Sequence, residues 1–166
     1  NADLKLFELG NCYFFHPEVE AGENPLARYS ESYRIAIAVT GQDATPSWNV
    51  KAAKASFYTL RATVEKLLRR FGLDIYSLKS EKLQTDLFAE ALSVQINGKE
   101  LLRMGVVASK IRSKFDLKQE VYFLEMDFDR LLKVAKKHRI AAEELSKFPE
   151  VKRDLALLVD KEVTFE

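Results

Sequence analysis

Glu90-Ala91-Leu92-Ser93-Val94-Gln95-Ile96-Asn97-Gly98-Lys99-Glu100-Leu101-Leu102-Arg103-Met104-Gly105-Val106-Val107 is the stretch that decides the fold. Leu92, Val94 and Ile96 alternate with other residues at the two-residue period of a strand. Asn97-Gly98 then supplies a two-residue turn in which both positions need φ > 0, and Leu101 to Val107 returns. A tight hairpin makes neighbouring strands antiparallel. Tyr33 to Thr40 and Glu120 to Phe128 also read as strands, as do residues 4–9 and 11–16, with a bulge or turn at Gly10-Asn11.

Helices fall between these strands. Phe57, Leu60, Val64, Leu67, Leu68 and Phe71 line one stripe at helical spacing, so residues 50–71 are expected to form an amphipathic helix ended by Gly72. Lys66, Arg69 and Arg70 lie opposite that stripe. Residues 17–31 and 42–48 read as loop, Leu73 to Leu78 as a short strand, 108–115 as a short helix and 129–138 as a helix. Asp127 or Asp129 would cap that last helix, and Lys136, Lys137, His138 and Arg139 suit its C-terminal dipole. The expected fold class is α+β, an antiparallel or mixed sheet with helices on one side.

Composition removes several functions. The chain has 166 residues, one cysteine, two histidines and six glycines. Lone Cys12 excludes an internal disulfide and a multi-cysteine zinc site, fits a reducing compartment, and reads as a buried small hydrophobe. The glycines are too scattered for a dinucleotide fingerprint, a phosphate loop or a nucleophile elbow. No apolar run reaches the roughly 18 residues of a membrane span. Net charge is +1, low for a free-standing nucleic-acid binder. Acids concentrate in residues 1–31 and bases in 51–82, an unevenness that suits a subunit meeting other chains or simply solvated faces. Asn1-Ala2 reads as a tag scar, and the apolar run Leu155 to Val159 as a strand cut from a larger protein.

Candidate chemistry is sparse. Glu125, Asp127 and Asp129 would face one way on a strand and offer three carboxylates to Mg²⁺ or Ca²⁺. The competing and preferred reading is a polar strand face opposite Leu124, Met126 and Phe128. His16 and His138 have no metal-site spacing, and no nucleophile pairs with them by motif. Trp48 is expected to anchor the entry to the long helix. The basic side of that helix faces either solvent or RNA phosphates.

Several stretches, in order along the chain, resemble the β subunit family of bacterial phenylalanyl-tRNA synthetase. Leu4-Lys5-Leu6-Phe7-Glu8-Leu9-Gly10 is similar to the family's L-F-E-I-G strand. Val39-Thr40-Gly41, Trp48 and Phe57 to Leu68 follow its L-T-G … W … F-x-D-L-K-G-x-V-E-x-L-L order. Ile96 to Lys99, Lys114 to Leu117 and Val121 to Asp129 resemble its N-G-K turn, K-F-D-L helix end and V-Y-x-F-E-L-D-L-D strand. Ser146 to Leu157 is similar to S-K-F-P-A-V-R-R-D-L-A-L. Two departures stand out. Thr59-Leu60-Arg61-Ala62 replaces Asp-Leu-Lys-Gly, and an H-P-G-R-S-A stretch is absent near Thr85 to Ala91.

The resemblance implies a class II aminoacyl-tRNA synthetase-like fold, with residues 3–145 as a catalytic-like core. Residues 146–166 would be the linker and first strand of a ferredoxin-like anticodon-binding domain. It implies a cytoplasmic (αβ)₂ enzyme that joins phenylalanine to its tRNA with ATP and Mg²⁺, the α subunit carrying the active site. No catalytic, cofactor or metal residue is assigned to this chain. Class II enzymes hold ATP with an arginine in F-R-x-E and a later glycine-rich strand ending in arginine. Here strand 11–16 has no arginine. Glu125 and Asp127 stand at glycine positions, so Arg130 receives no ATP role. Lys66, Arg69 and Arg70 are the expected tRNA or partner contacts.

Overall fold

The computed structural model describes residues 3–20, 22, 24–44, 47–49, 51–136, 147–148, 151–156, 158 and 160. Its elements are β1 (Leu4–Phe15), β2 (Tyr29–Thr40), α1 (Phe57–Arg70), β3 (Lys79–Leu83), β4 (Phe88–Ile96), β5 (Lys99–Val107), α2 (Ser109–Lys114), β6 (Val121–Asp127) and α3 (Phe128–Ala135). Six strands form one antiparallel sheet in the order β1-β2-β6-β5-β4-β3. The fold is α+β. The β4–β5 turn has φ of 52° at Asn97 and 72° at Gly98, the left-handed values the dipeptide permits.

The sheet has two unlike faces. Ile37 pairs in register with Leu124, which pairs with Met104, while Ile35 pairs with Met126, which pairs with Leu102. These residues are buried beneath Leu60, Val64 and Leu68 of α1 and Leu131 of α3. Each fully buried leucine contributes about 1.5–3 kcal/mol. The opposite face carries Ala36 beside Glu125, Ala38 beside Phe123, and Arg103 across from Glu125. No helix of that core cluster covers it.

Several local expectations are corrected. β1 is one continuous strand, because Gly10 pairs regularly with Arg34. The long helix is Phe57–Arg70 rather than 50–71. Gln42 bridges Lys54, and a Ser56–Thr59 capping box fixes the helix start. Ile75–Ser77 is a 3-10 turn, and the strand lies at Lys79–Leu83. Pro25–Arg28 is a 3-10 turn within the expected loop. The last helix begins at Phe128 and its described part ends at Ala135, while Lys137, His138 and Arg139 lie outside the described residues. Leu155, Ala156 and Leu158 are exposed, and Leu157 and Val159 lie outside the described residues.

β1 and β2 pair over their full length, but β2 meets β6 only from Arg34 onward. The segment Tyr29 to Tyr33 and its β1 partners therefore overhang the sheet, by roughly 17 Å at strand rise.

Candidate functional site

β6 alternates Leu124 and Met126 inward with Glu125 and Asp127 on the other side, as a half-buried strand must. That register puts Glu125 between Arg34 of β2 and Arg103 of β5. Arg34 Nη1 donates to Glu125 Oε1 at 2.8 Å; Arg103 Nε and Nη2 donate to Oε2 at 3.0 and 2.5 Å. Burial pushes the Glu125 carboxyl up, but Arg103 and then Arg34 outweigh it and hold the group below the usual carboxylate range. Arg34 also lies 5.0 Å from the Phe14 ring centroid, and its buried Nε has no hydrogen-bond partner.

The other two carboxylates are engaged separately. Asp127 Oδ1 accepts from the Arg130 amide at 2.8 Å and so caps α3, while its Oδ2 lies 3.2 Å from Arg130 Nη2. Asp129 Oδ2 accepts from the Tyr33 amide at 2.9 Å. The three acids thus bind separate sets of donors, Glu125 the two arginines, Asp127 the Arg130 amide and Asp129 the Tyr33 amide, rather than converging. Among the described residues no group of three His, Cys, Asp or Glu is arranged to hold a metal ion. Replacing the cap, Asp127→Ala, is expected to cost about 1 kcal/mol, measured as a lower urea midpoint with unchanged slope. No loss would show that the Arg130 amide finds another acceptor.

Glu125 is held by the two cations nearest it and Asp127 holds Arg130, so both carboxylates on this face are already paired.

The remaining candidates separate in space. Lys66, Arg69 and Arg70 are exposed on α1, and Arg69 pairs with Glu65 at 2.7 Å. On the same helix Arg61 stacks 5.3 Å from the centroid of exposed Tyr76. His16 contacts Ser30 Oγ at 2.8 Å and Glu18 at 3.4 Å, pinning the end of the β1–β2 hairpin. Cys12 is exposed rather than buried, because both faces of β1 lack cover at that end. Trp48 is 97% exposed and anchors nothing; capping at Ser56 sets the helix entry instead. Sequence reasoning missed Arg34 and Arg103. The available signal was a lone cation inside each of two apolar strands.

A six-stranded antiparallel sheet with α1 and α3 packed on one face, and a strand running straight into a capped helix, is a class II tRNA synthetase fold. A pyrrolysyl tRNA synthetase from Desulfitobacterium hafniense superposes with a TM-score of 0.55 at 15% identity, over 81% of this chain and 42% of that one. The family described as the phenylalanyl tRNA synthetase beta chain CLM domain matches residues 1–128, and the chain belongs to it. A phenylalanine–tRNA ligase beta subunit from Bacteroides thetaiotaomicron is 46% identical over 99% of the chain and 20% of its own length. One from Porphyromonas gingivalis is 39% identical over 98% of the chain, again 20% of its own length. The chain therefore spans about a fifth of these relatives. No helix among the described residues is long and apolar enough to cross a membrane.

Proposed function

We propose that this chain is a non-catalytic core module of the β subunit of a cytoplasmic phenylalanine–tRNA ligase. It supports an α subunit that carries the active site in an (αβ)₂ assembly and uses ATP and Mg²⁺. Residues 3–145 form that core; 146–166 form the linker and first strand of a ferredoxin-like anticodon-binding domain. The observation that carries the reading is Glu125 held between Arg34 and Arg103, on the sheet face where an active member of the fold would admit a nucleotide. Two experiments test it. The parent β chain should co-purify with an α subunit, and the chain alone should form no aminoacyl-adenylate when titrated with ATP, Mg²⁺ and phenylalanine. Adenylate formation by this chain overturns the non-catalytic part.

A second reading is favoured by the exposed cations of α1. Lys66, Arg69 and Arg70 are exposed along α1, whose Arg61 stacks on Tyr76, and suit tRNA phosphates. Reversing all three to Glu in the assembled enzyme is expected to weaken tRNA binding at least tenfold and to flatten its salt dependence. Unchanged affinity and slope would leave these residues as a solvated helix face.

A further inference from the structure

The two edges of the sheet are built differently. β3 is five residues long and reads Lys79-Ser80-Glu81-Lys82-Leu83, a short charged edge of the kind that discourages pairing. β1 is twelve residues long and pairs with β2 without a bulge. It holds no proline and only two charges, Lys5 and Glu8, and Lys5 Nζ is tied to Asp43 Oδ1 at 2.8 Å. The devices that protect a free edge are therefore missing. An edge strand directs the N–H and C=O of every second residue away from its neighbour, and among the described residues no strand meets β1 on that side.

The side chains of this edge are as open as its backbone. Lys5, Phe7 and Leu9 pair with Val39, Ile37 and Ile35, which places them on the helix-bearing face. α1 leaves Phe7 and Leu9 exposed, Phe7 at 81%. Between β1 and α1 lies an apolar groove of about 360 Å³, with Ile37 and Val39 from β2 and Thr63 and Leu67 from α1 among its walls. On the other face Leu6 is exposed as well. A surface of this kind marks an interaction site. It suits an added strand, whose main chain takes the outward hydrogen bonds and whose alternate side chains enter the groove. RNA is the disfavoured occupant, because the one cation of β1 is already held by Asp43 and phosphate would find no partner along the edge.

We propose that a strand from the part of the β chain outside this sequence adds to β1, extending the sheet to a seventh strand and closing the groove with its apolar side chains. Length and linkage select this occupant. The relatives have about four fifths of their length outside the matched part, so segments of the same polypeptide are at hand. Such a segment meets the edge intramolecularly, at an effective concentration up to the order of millimolar, ahead of any separate chain. Early cover of this sort also keeps a long, unprotected edge from pairing with other molecules as the protein is made. The inference rests on membership of the β chain family and stands apart from the two-subunit reading above.

The test uses the full-length β chain co-expressed with its α subunit. Phe7→p-benzoylphenylalanine, irradiated in the purified protein, is expected to cross-link within the β chain, with the acceptor mapped by peptide mass spectrometry to a segment outside these 166 residues. Amide exchange, read residue by residue in the wild-type protein, is the second measure and needs no variant. Both alternating sets of β1 amides are expected to exchange about a hundredfold or more slower than in an unstructured peptide of the same sequence. A cross-link to the α chain, to a second β chain or to tRNA overturns the proposal, as does one confined to these residues or none at all. So does free exchange of every second β1 amide, which would leave the edge unpaired.

Discussion

Gly105→Val is expected to destabilise the chain by about 3 kcal/mol or more, the upper range for overpacking. Gly105 sits in β5 opposite Ala91, where the β4–β5 register shifts between Phe88 and Glu90. A side chain there would press on the Glu90 carbonyl oxygen, and would lie 2.8 Å from Ala91 Cβ and 2.9 Å from Ala91 Cα. Two of these three atoms are backbone, so no rotamer change relieves the clash. β4 would have to leave β5, exposing Val94, which packs with Leu102 and Met104 in the core. At roughly 2–4 °C per kcal/mol for a chain of this size, the melting temperature should fall by about 6 °C or more. A loss below about 1 kcal/mol would mean that the irregular segment at Glu90 yields without disturbing the sheet.

Glu125→Ala is the second large effect. It leaves Arg34 and Arg103 facing each other with no acid between them. Fully buried pairs lose about 3–5 kcal/mol when one partner is removed. Here the side chains of Arg34 and Arg103 are 23% and 36% exposed, so water offsets part of the loss and about 2 kcal/mol is expected. The pH dependence gives an independent check. The folded-state pKa of Glu125 is depressed, so its contribution is complete above its unfolded value, about 4.3, and disappears as pH falls through the lower folded value. The stability gap between wild type and Glu125→Ala should be constant near neutrality and close progressively below about pH 4.3. A gap that persists unchanged into strong acid would show that packing rather than charge maintains it.

How much of this was legible depended on range. Asn97-Gly98 declared its turn because two adjacent left-handed residues are a local demand. Leu60, Val64 and Leu68 declared a buried helix stripe for the same reason. The start of α1 was harder, since Ser56 closes its box with Thr59 rather than the usual Glu or Gln. β3 escaped because Lys79 to Lys82 has no apolar alternation; its neighbour β4 holds it in place. The open-face site was legible only in its middle member. Glu125 lies 91 residues from Arg34 and 22 from Arg103, so the strand order, not any motif, creates the trio. The carboxylates at 125, 127 and 129 look alike in sequence and part company only when β6 ends and α3 begins between them.

That division of labour has a mechanical consequence. The overhanging ribbon is a lever, and its fulcrum is the junction of β6 and α3. Asp129 grips the Tyr33 amide where the ribbon leaves the sheet, and Glu125 grips Arg34 one residue further in. Force applied at Tyr13 or Phe15 is therefore delivered to the first turn of α3 and to the centre of the sheet rather than dissipated along a free loop.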